Sequence, residues 1–353
     1  MKRALAALAF AALVLGGAAV AQAPALVNDA ALMAARAPAT LAQTRLFRDA
    51  GARTPNARVT PYELNTALYS DGALKFRYIY IPPGAQARYN ADGVFEFPVG
   101  TVLVKTFAFA ADMRRPTENV RFLETRLLIR RESGWVALPY VWNEAQTEAR
   151  LALGGADLPV SFTNEEGQAI ALDWAVPNTN QCSGCHIHAG AIAPIGPSAR
   201  NLNREAGPAN QLEHWLALGI LDALPAAPSV PDAYDASAPL EARARAYLDV
   251  NCAHCHNPQG PAHTSGLDLS WAQQAPIQWG VFKRPVAAGR GSAGLEFAIA
   301  PGHPERSILL ARMESTDPGV MMPELGRQLV DERGVALMRE WIAGMGPDGR
   351  PAR

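Results

Sequence analysis

Two copies of one short motif constrain this chain more than any other feature. Residues 182–186 read C-S-G-C-H and residues 252–256 read C-A-H-C-H, and together they use all four cysteines. In a C-x-x-C-H motif two thiols form thioethers with the vinyl groups of a porphyrin, and the following histidine binds the iron. Histidine makes up 7 of 353 residues, so a histidine would follow both C-x-x-C pairs by chance only about once in 2,500 cases. The two motifs therefore predict two covalently bound haem c groups. The predicted attachment residues are Cys182, Cys185, Cys252 and Cys255.

The histidine of each motif is the predicted axial ligand on one face of its iron, His186 for the first haem and His256 for the second. Two other uses of paired cysteines stay open. Four thiolates can hold a structural zinc ion, and C-x-x-C pairs can act as redox-active dithiols. The gap between the two pairs is far longer than a zinc-ribbon loop, and neither use requires the histidines. Haem attachment is therefore the favoured interpretation.

The N-terminus has the pattern of an export signal. Met1-Lys2-Arg3 is basic, residues 4–20 are apolar, and residues 19–21 read A-V-A, a cleavage site that makes residues 1–21 a signal peptide. The apolar run is short and rich in small residues, which argues against a stable membrane anchor. Covalent attachment of haem to C-x-x-C-H takes place outside the cytoplasm, so signal and motifs both predict a soluble periplasmic protein. The net charge of -1 gives no electrostatic reason to expect nucleic acid as a partner.

Residues 60–177 have the pattern of short β-strands. Aromatic and β-branched residues are concentrated in runs such as 76–81, and turn sequences such as N-A-D-G at 90–93 separate the runs. Short strands at regular spacing predict an all-β, sandwich-like domain. The charged side chains Glu124, Arg126, Glu144 and Glu148 could line a cleft, but the favoured expectation is that they belong to cross-strand pairs and solvated faces.

The cysteine motifs lie in the second half of the chain, in two units joined by a proline-rich linker. Helical periodicity at 210–221 and 239–250 predicts that both units are mainly α-helical. The expected fold class is therefore α+β and multidomain, an all-β sandwich-like domain followed by two mainly α haem units. The predicted segments are a lead-in at 22–59, the β-rich domain at 60–177, the first haem unit at 178–222, the linker at 223–238 and the second haem unit at 239–345.

The order of elements in the second unit resembles a class I cytochrome c domain. A helix at 239–250 runs into the second motif, and Met-Pro at 322–323 precedes a last helix at 330–345. The resemblance covers this whole unit and implies a cytochrome c-type helical fold. In that fold the first and last helices cross, here with Tyr247 against Trp341.

The same resemblance implies ligands for the second haem. His256 is implied as the proximal ligand, with a backbone carbonyl near Pro261 orienting its other ring nitrogen. Met322, directly before a proline, is implied as the distal ligand. Met321 and Met313 are competing candidates, because methionines also serve as core filler.

The mature chain as a whole resembles a family of bacterial periplasmic two-haem c-type cytochromes with a β-rich N-terminal region. F-P-V-G-T at 97–101, P-Y-V-W-N-E at 139–144 and R-M-E-S at 312–315 carry the resemblance, together with the two motifs. Membership implies haem iron as cofactor and electron transfer as function. It also implies periplasmic redox proteins as partners: a dehydrogenase, an oxidase or a small cytochrome.

The first haem unit departs from the class I pattern at its sixth ligand. No methionine lies between His186 and Cys252 in the sequence. Three possibilities stay open: a nearby histidine, for which His214 is the candidate, a residue from another part of the chain, such as Met313, or no ligand at all. His254, inside the second attachment loop, is interpreted as structural.

These residues support two main classes of function. An electron carrier needs haem iron with a closed coordination shell at a suitable potential. A dihaem peroxidase-like oxidoreductase needs an open site on one haem, which a first haem without a sixth ligand would supply. The carrier is favoured because the sequence contains no distal acid–base constellation, and no catalytic residue is predicted. A third possibility is that the β-rich region binds a partner while the haems sense redox state.

Overall fold

The computed structural model describes residues 26–207, 209–286 and 288–350. The predicted signal peptide lies outside these ranges. Within them, no helix combines the length and the apolar character needed to cross a membrane. Strands dominate the described chain up to residue 176, and short helices, small hairpins and loops follow.

Six strands form one antiparallel sheet in which each strand pairs with the next along the chain. Their β-branched and aromatic residues favour extended backbone. A two-residue turn joins the fourth strand to the fifth, and Gly134 directly after it takes a φ of 123°, which glycine adopts without strain. The strands are β1 (Val59–Pro61), β2 (Leu74–Tyr80), β3 (Val102–Ala110), β4 (Val120–Arg131), β5 (Gly134–Trp142) and β6 (Ala149–Leu151).

One face of this sheet is covered by the N-terminal segment. That segment contains α1 (Asp29–Met33) and a 3-10 helix at Leu41–Thr44. Leu32 and Leu41 pack in one cluster with Tyr140 of β5, and the Tyr140 hydroxyl donates to the Pro38 carbonyl over 3.0 Å. The predicted lead-in is thus a cover for the apolar face of the sheet.

A separate hairpin packs over one end of the sheet. It consists of β7 (Ala156–Thr163) and β8 (Ala169–Val176), which pair with each other, and Thr163 at the end of β7 forms an isolated bridge with Asp112, just after β3. Phe162 of the hairpin stacks on Phe109 of β3 with ring centroids 4.3 Å apart. Trp174 lies beside Phe107 of the same strand at 5.3 Å.

The prediction of a sandwich-like β domain is therefore wrong. A sandwich needs two sheets that face each other across a shared core. Here one large sheet has its faces covered mostly by segments that are not strands. The strand pattern shows that a face is buried, but it does not show what buries it.

The region of the first motif consists of short pieces, so its prediction as a mainly α unit is also wrong. Its longest helix has eight residues, because glycines and prolines at 184–197 interrupt any longer one. Its apolar side chains do not form a helical core of their own. Cys182 and Trp215 lie in one cluster with Leu103 and Leu128 of the sheet, so this cluster spans the predicted boundary at 177. The elements are α2 (Thr179–His186), β9 (Ile187–His188), β10 (Ala191–Ile192), α3 (Ala199–Leu202), β11 (Glu205–Ala206), β12 (Ala209–Asn210) and α4 (Gln211–Ala217).

The region of the second motif has two longer helices, but loops make up most of it. Between the motif and residue 308 the described α-helix is four residues long, and three 3-10 turns account for the other helical residues. Proline and glycine are frequent in this stretch and do not sustain helices. The expectation of two mainly α, cytochrome c-type units therefore fails in this half as well. The α-helices are α5 (Leu240–Asn251), α6 (Pro276–Trp279), α7 (Ile308–Glu314) and α8 (Glu332–Ala343).

The two longer helices, α5 and α8, pack against each other at Gly334. Tyr247 and Trp341 belong to the cluster between them. The Tyr247 hydroxyl donates to Asp331 Oδ2 over 2.9 Å at the start of α8. A Cβ atom at Gly334 would overlap both the Tyr247 hydroxyl and that carboxylate. The absence of a side chain at this position is what permits the close approach.

Gly334→Ala should therefore destabilise the protein by about 1–3 kcal/mol, through overpacking and loss of the Tyr247 hydrogen bond. Gly344→Ala is the matched control, because it ends the same helix with a φ of -80° and a new Cβ would lie 3.5 Å from its nearest neighbour. Denaturant unfolding of the two variants checks this expectation. Equal midpoints for both would contradict the close packing at Gly334.

Candidate haem-attachment site

The two C-x-x-C-H loops lie against each other, although about seventy residues separate them in the sequence. The Ala189 amide, just after the first motif, donates to the Gln259 carbonyl, just after the second, over 3.0 Å. The Cys255 thiol lies 3.9 Å from the Gly184 carbonyl. The fold therefore assembles both motifs into one continuous site.

Local structure positions the thiols of each motif. In the first, Asn178 caps α2 by accepting from the Gln181 amide over 2.9 Å, so Cys182 and Cys185 lie about one turn apart on a short helix. In the second, α5 ends at Asn251 and the chain tightens into a turn, where the His256 amide donates to the Cys252 carbonyl over 2.9 Å.

The imidazole of His186 has a defined orientation and tautomer. Its Nδ1 lies 2.8 Å from the Ala193 carbonyl oxygen. A carbonyl can only accept, so Nδ1 carries the proton and Nε2 keeps its lone pair. This is the arrangement found at metal-binding histidines, where the second ring nitrogen is held by a hydrogen bond.

His256 is held in the same tautomer by a different hydrogen-bond partner. Its Nδ1 lies 3.0 Å from the Ser265 hydroxyl, which itself donates to the Ala262 carbonyl over 2.7 Å. The hydroxyl oxygen must then accept from His256, which again leaves the lone pair on Nε2. The expected carbonyl near Pro261 is thus replaced by the Ser265 hydroxyl.

Burial favours the neutral form of both imidazoles, which is the form that binds a metal. It lowers the pKa of His186 to about 4 and that of His256 to about 4. Both rings are therefore neutral at neutral pH, and only a neutral imidazole can donate a lone pair to a metal.

The thiols do not have the environment of a reactive dithiol or of a zinc site. Burial raises the pKa of Cys252 and of Cys255 to about 12, and it also raises the pKa of Cys182 and of Cys185. Redox-active cysteines have a lowered pKa instead. Within the described ranges, no three His, Cys, Asp or Glu side chains converge in a group that could hold a metal ion.

A cavity of about 300 Å³ lies between the first attachment loop and the sheet. This volume is at the lower end of the usual range for ligand pockets, about 300–1,000 Å³. Cys182, Cys185 and His186 line one side, and Leu103 and Leu128 line the sheet side. The thiols and imidazole of the first motif thus border a space with an apolar floor.

Three cationic side chains project from the sheet into this cavity. Arg77 of β2 pairs in register with Lys105 of β3, and Lys105 pairs in register with Arg126 of β4. All three line the cavity. Side chains in register on neighbouring antiparallel strands lie on the same face about 5 Å apart, and like charges at that spacing repel.

Only Arg126 has a buried counter-charge. Its guanidinium makes two hydrogen bonds to the Glu124 carboxylate, at 2.8 and 2.6 Å. Glu124 is fully buried and also accepts from Trp174 Nε1 over 2.8 Å. The favoured expectation of cross-strand pairs and solvated faces is therefore wrong for Glu124, which is buried, whereas Arg126 lines the cavity as the alternative expectation had it.

Arg77 supplies a test of whether a haem group fits here. Its side chain is 5% exposed, and its Nη2 is buried with no hydrogen-bond partner among the described residues. The nearest carboxylate, that of the exposed Glu63, lies 3.4 Å from the other terminal nitrogen. Haem c carries two propionate carboxylates, and the buried Nη2 without a partner is a suitable donor for one of them. The thiols, the neutral imidazole, the apolar floor and this cation together fit a haem.

Sequence reasoning missed this cationic row, although a signal was present. Lys105 interrupts a strand whose other residues on the same face, Leu103 and Phe107, are apolar. A charged residue in the middle of such a run is costly unless something pairs with it. That anomaly identifies a functional position without any motif.

The other predicted ligands lie in different surroundings. His214 is exposed on α4 and does not line the cavity, and Met313 is buried in the cluster between α5 and α8. Met321 is buried and Met322 is partly buried, in a loop whose next residue, Pro323, lines the cavity. This loop therefore reaches the site, but no described contact joins the sulfur of Met322 to His256. His254, interpreted as structural, also lines the cavity.

No protein-family model matches this chain, and no curated protein or solved structure matches it either. The assignment of the site therefore depends on its own thiols, imidazoles and cavity.

Proposed function

We propose that this chain is a periplasmic two-haem c-type cytochrome that transfers electrons between redox partners. The observation that carries the proposal is the contact between the two C-x-x-C-H loops, each with its imidazole held in the tautomer that binds iron. Neither a zinc site nor a reactive dithiol requires those oriented histidines.

Each residue of the site has a role in holding the cofactor. Cys182, Cys185, Cys252 and Cys255 form the thioether links. His186 and His256 offer Nε2 to the two irons, and Arg77 pairs with a propionate in the first site. When bound, haem supplies one-electron redox chemistry, and the protein supplies burial, orientation and charge. The apolar floor at Leu103 and Leu128 keeps water from the first haem.

The contact between the loops suits electron transfer from one haem to the other. Haem groups attached through these thiols would be held against their loops, and the contact between the loops would keep them near each other. Electron exchange between them then requires no large movement of the chain.

The resemblance of the sequence to periplasmic two-haem cytochromes supports the location and the partners. The export signal at 1–21 directs the chain to the periplasm. A dehydrogenase would deliver electrons, and an oxidase or a small cytochrome would accept them. Met322 is the proposed distal ligand of the second haem, in the loop that reaches the site.

Haem content and redox titration of the full chain test this proposal. Protein from an export-competent host that attaches haem should contain two haems per chain, both retained after denaturation in acid because the links are covalent. A potentiometric titration should show two one-electron steps. Zinc in place of haem would overturn the proposal, and rapid turnover of hydrogen peroxide would favour the dihaem peroxidase-like alternative.

A further inference from the structure

The cavity beside the first motif points to a ligand that no sequence motif marks. We propose that Lys105 binds the iron of the first haem through its side-chain amine, opposite His186. The inference rests on the proposed function, because it presupposes a haem attached at Cys182 and Cys185.

The first haem lacks an obvious sixth ligand nearby in sequence. No methionine lies between His186 and Cys252. His214 is exposed and away from the cavity, and Met313 is buried in the core of the other unit. A closed coordination shell at this iron would therefore need a ligand from another wall of the cavity.

Lys105 is placed on that other wall. Eight of the nine residues of β3 are buried, and Lys105 is partly exposed. Its side chain borders the cavity. Cys182 of α2 packs in the cluster that contains Leu128 of β4 and Ala137 of β5. β3 lies two strands from β5, about 10 Å across the sheet. The cavity is thus bordered by the first attachment loop on one side and by Lys105 of the sheet on another.

The amine of Lys105 is not used by the protein itself. Within the described ranges its Nζ makes no hydrogen bond and no ion pair. The Nζ lies over the Phe107 ring, 4.6 Å from the ring centroid. The nearest buried carboxylate, Glu124, is already bonded to Arg126 and Trp174. The amine therefore borders the cavity without a protein hydrogen-bond partner and is free to bind a group held there.

The surroundings favour the neutral amine. Burial, with smaller contributions from the charges of Arg77, Lys75 and Arg126, lowers the pKa of Lys105 well below its ordinary value. A neutral amine has a lone pair for a metal, whereas an ammonium group has none. This supports the position of Lys105 but does not by itself select iron as its partner.

Two rival roles have to be separated from ligation. Lys105 could instead pair as a cation with a propionate, and His254, which also lines the cavity, could bind the iron in its place. Lys105→Arg separates the first rival, because arginine keeps the positive charge but has no lone pair to donate. His254→Ala tests the second.

The experiment uses the full chain with both haems attached. Carbon monoxide is titrated into the reduced protein, and near-infrared magnetic circular dichroism is recorded on the oxidised protein. Lys75→Arg is the matched control, since Lys75 lies on the neighbouring strand, donates to the Ala73 carbonyl over 3.2 Å and does not line the cavity.

The wild type and the Lys75→Arg control should bind no carbon monoxide at the first haem, and the spectrum should show an imidazole–amine iron centre. Lys105→Arg should bind one equivalent per chain and lose that centre. Lys105→Met should replace it with an imidazole–thioether centre, because methionine has a similar length and offers sulfur.

Three results would overturn the inference. The first is the absence of an imidazole–amine centre from the wild-type spectrum, a measurement that does not depend on the folding of any variant. The second is Lys105→Arg with wild-type spectra, which would assign the lysine to a propionate. The third is a site that opens in His254→Ala but not in Lys105→Arg. In all three cases two haems per chain would leave the proposed function intact, whereas loss of that function would appear as protein without covalent haem.

Discussion

A chain that carries Cys182→Ala together with Cys185→Ala is expected to contain one covalent haem instead of two. The reason is that thioether links are local, so the second loop keeps Cys252 and Cys255 and retains its own haem. The redox step of the first haem should disappear from a potentiometric titration. The reciprocal variant, with Cys252→Ala and Cys255→Ala, should lose the other step.

Mass spectrometry of the denatured chain and haem absorbance per chain measure this result. Ser183→Ala is the matched control, because Ser183 lies in the same loop, is partly exposed and directs its hydroxyl to the Asn180 carbonyl. It should retain two haems. If the variant without the first thiol pair also kept two covalent haems, the attachment sites would be wrong.

Arg126→Ala should destabilise the protein by about 3 kcal/mol. The substitution leaves the fully buried Glu124 carboxylate without its counter-charge, and breaking a buried pair in this way typically costs about 3–5 kcal/mol. We expect the lower end of that range, because Trp174 still donates to Glu124 and the Arg126 side chain is 32% exposed.

Arg150→Ala is the control for Arg126→Ala. Arg150 pairs with Glu148, but its side chain is 77% exposed, and exposed pairs contribute about 1 kcal/mol at most. Denaturant unfolding of both variants, each with its haem content checked, decides the comparison. Similar losses in the two variants would show that the Glu124–Arg126 pair is not the buried support that the structure indicates.

The two predictions differ in how far sequence alone supports them. The attachment cysteines and their histidines occupy five consecutive positions, so the chemistry is visible without any knowledge of the fold. By contrast, nothing in the sequence around Arg126 distinguishes its strand from the other strands. Its role depends on Glu124 being buried, which the covering hairpin β7–β8 and Trp174 bring about.

The predicted fold class is wrong because a strand or helix pattern does not show which segments pack against it. A period of two residues shows that one side of a strand is buried, but a second sheet and a layer of loops leave the same pattern. Likewise, the helix predicted at 210–221 forms over Gln211–Ala217 (α4) and ends four residues early. Its periodicity did not reveal that the residues around α4 bury their apolar side chains against the sheet instead of in a helical bundle.

The sequence by itself predicts covalent haem attachment, because two thiols and a histidine within one short loop act on a cofactor locally. Tertiary structure alone decided which residues surround that chemistry. It brought the two loops into contact, placed Ser265 behind His256, and turned Arg77, Lys105 and Arg126 of three strands toward the first loop. Those contacts join residues far apart in the chain, and only packing of the sheet against the loops creates them.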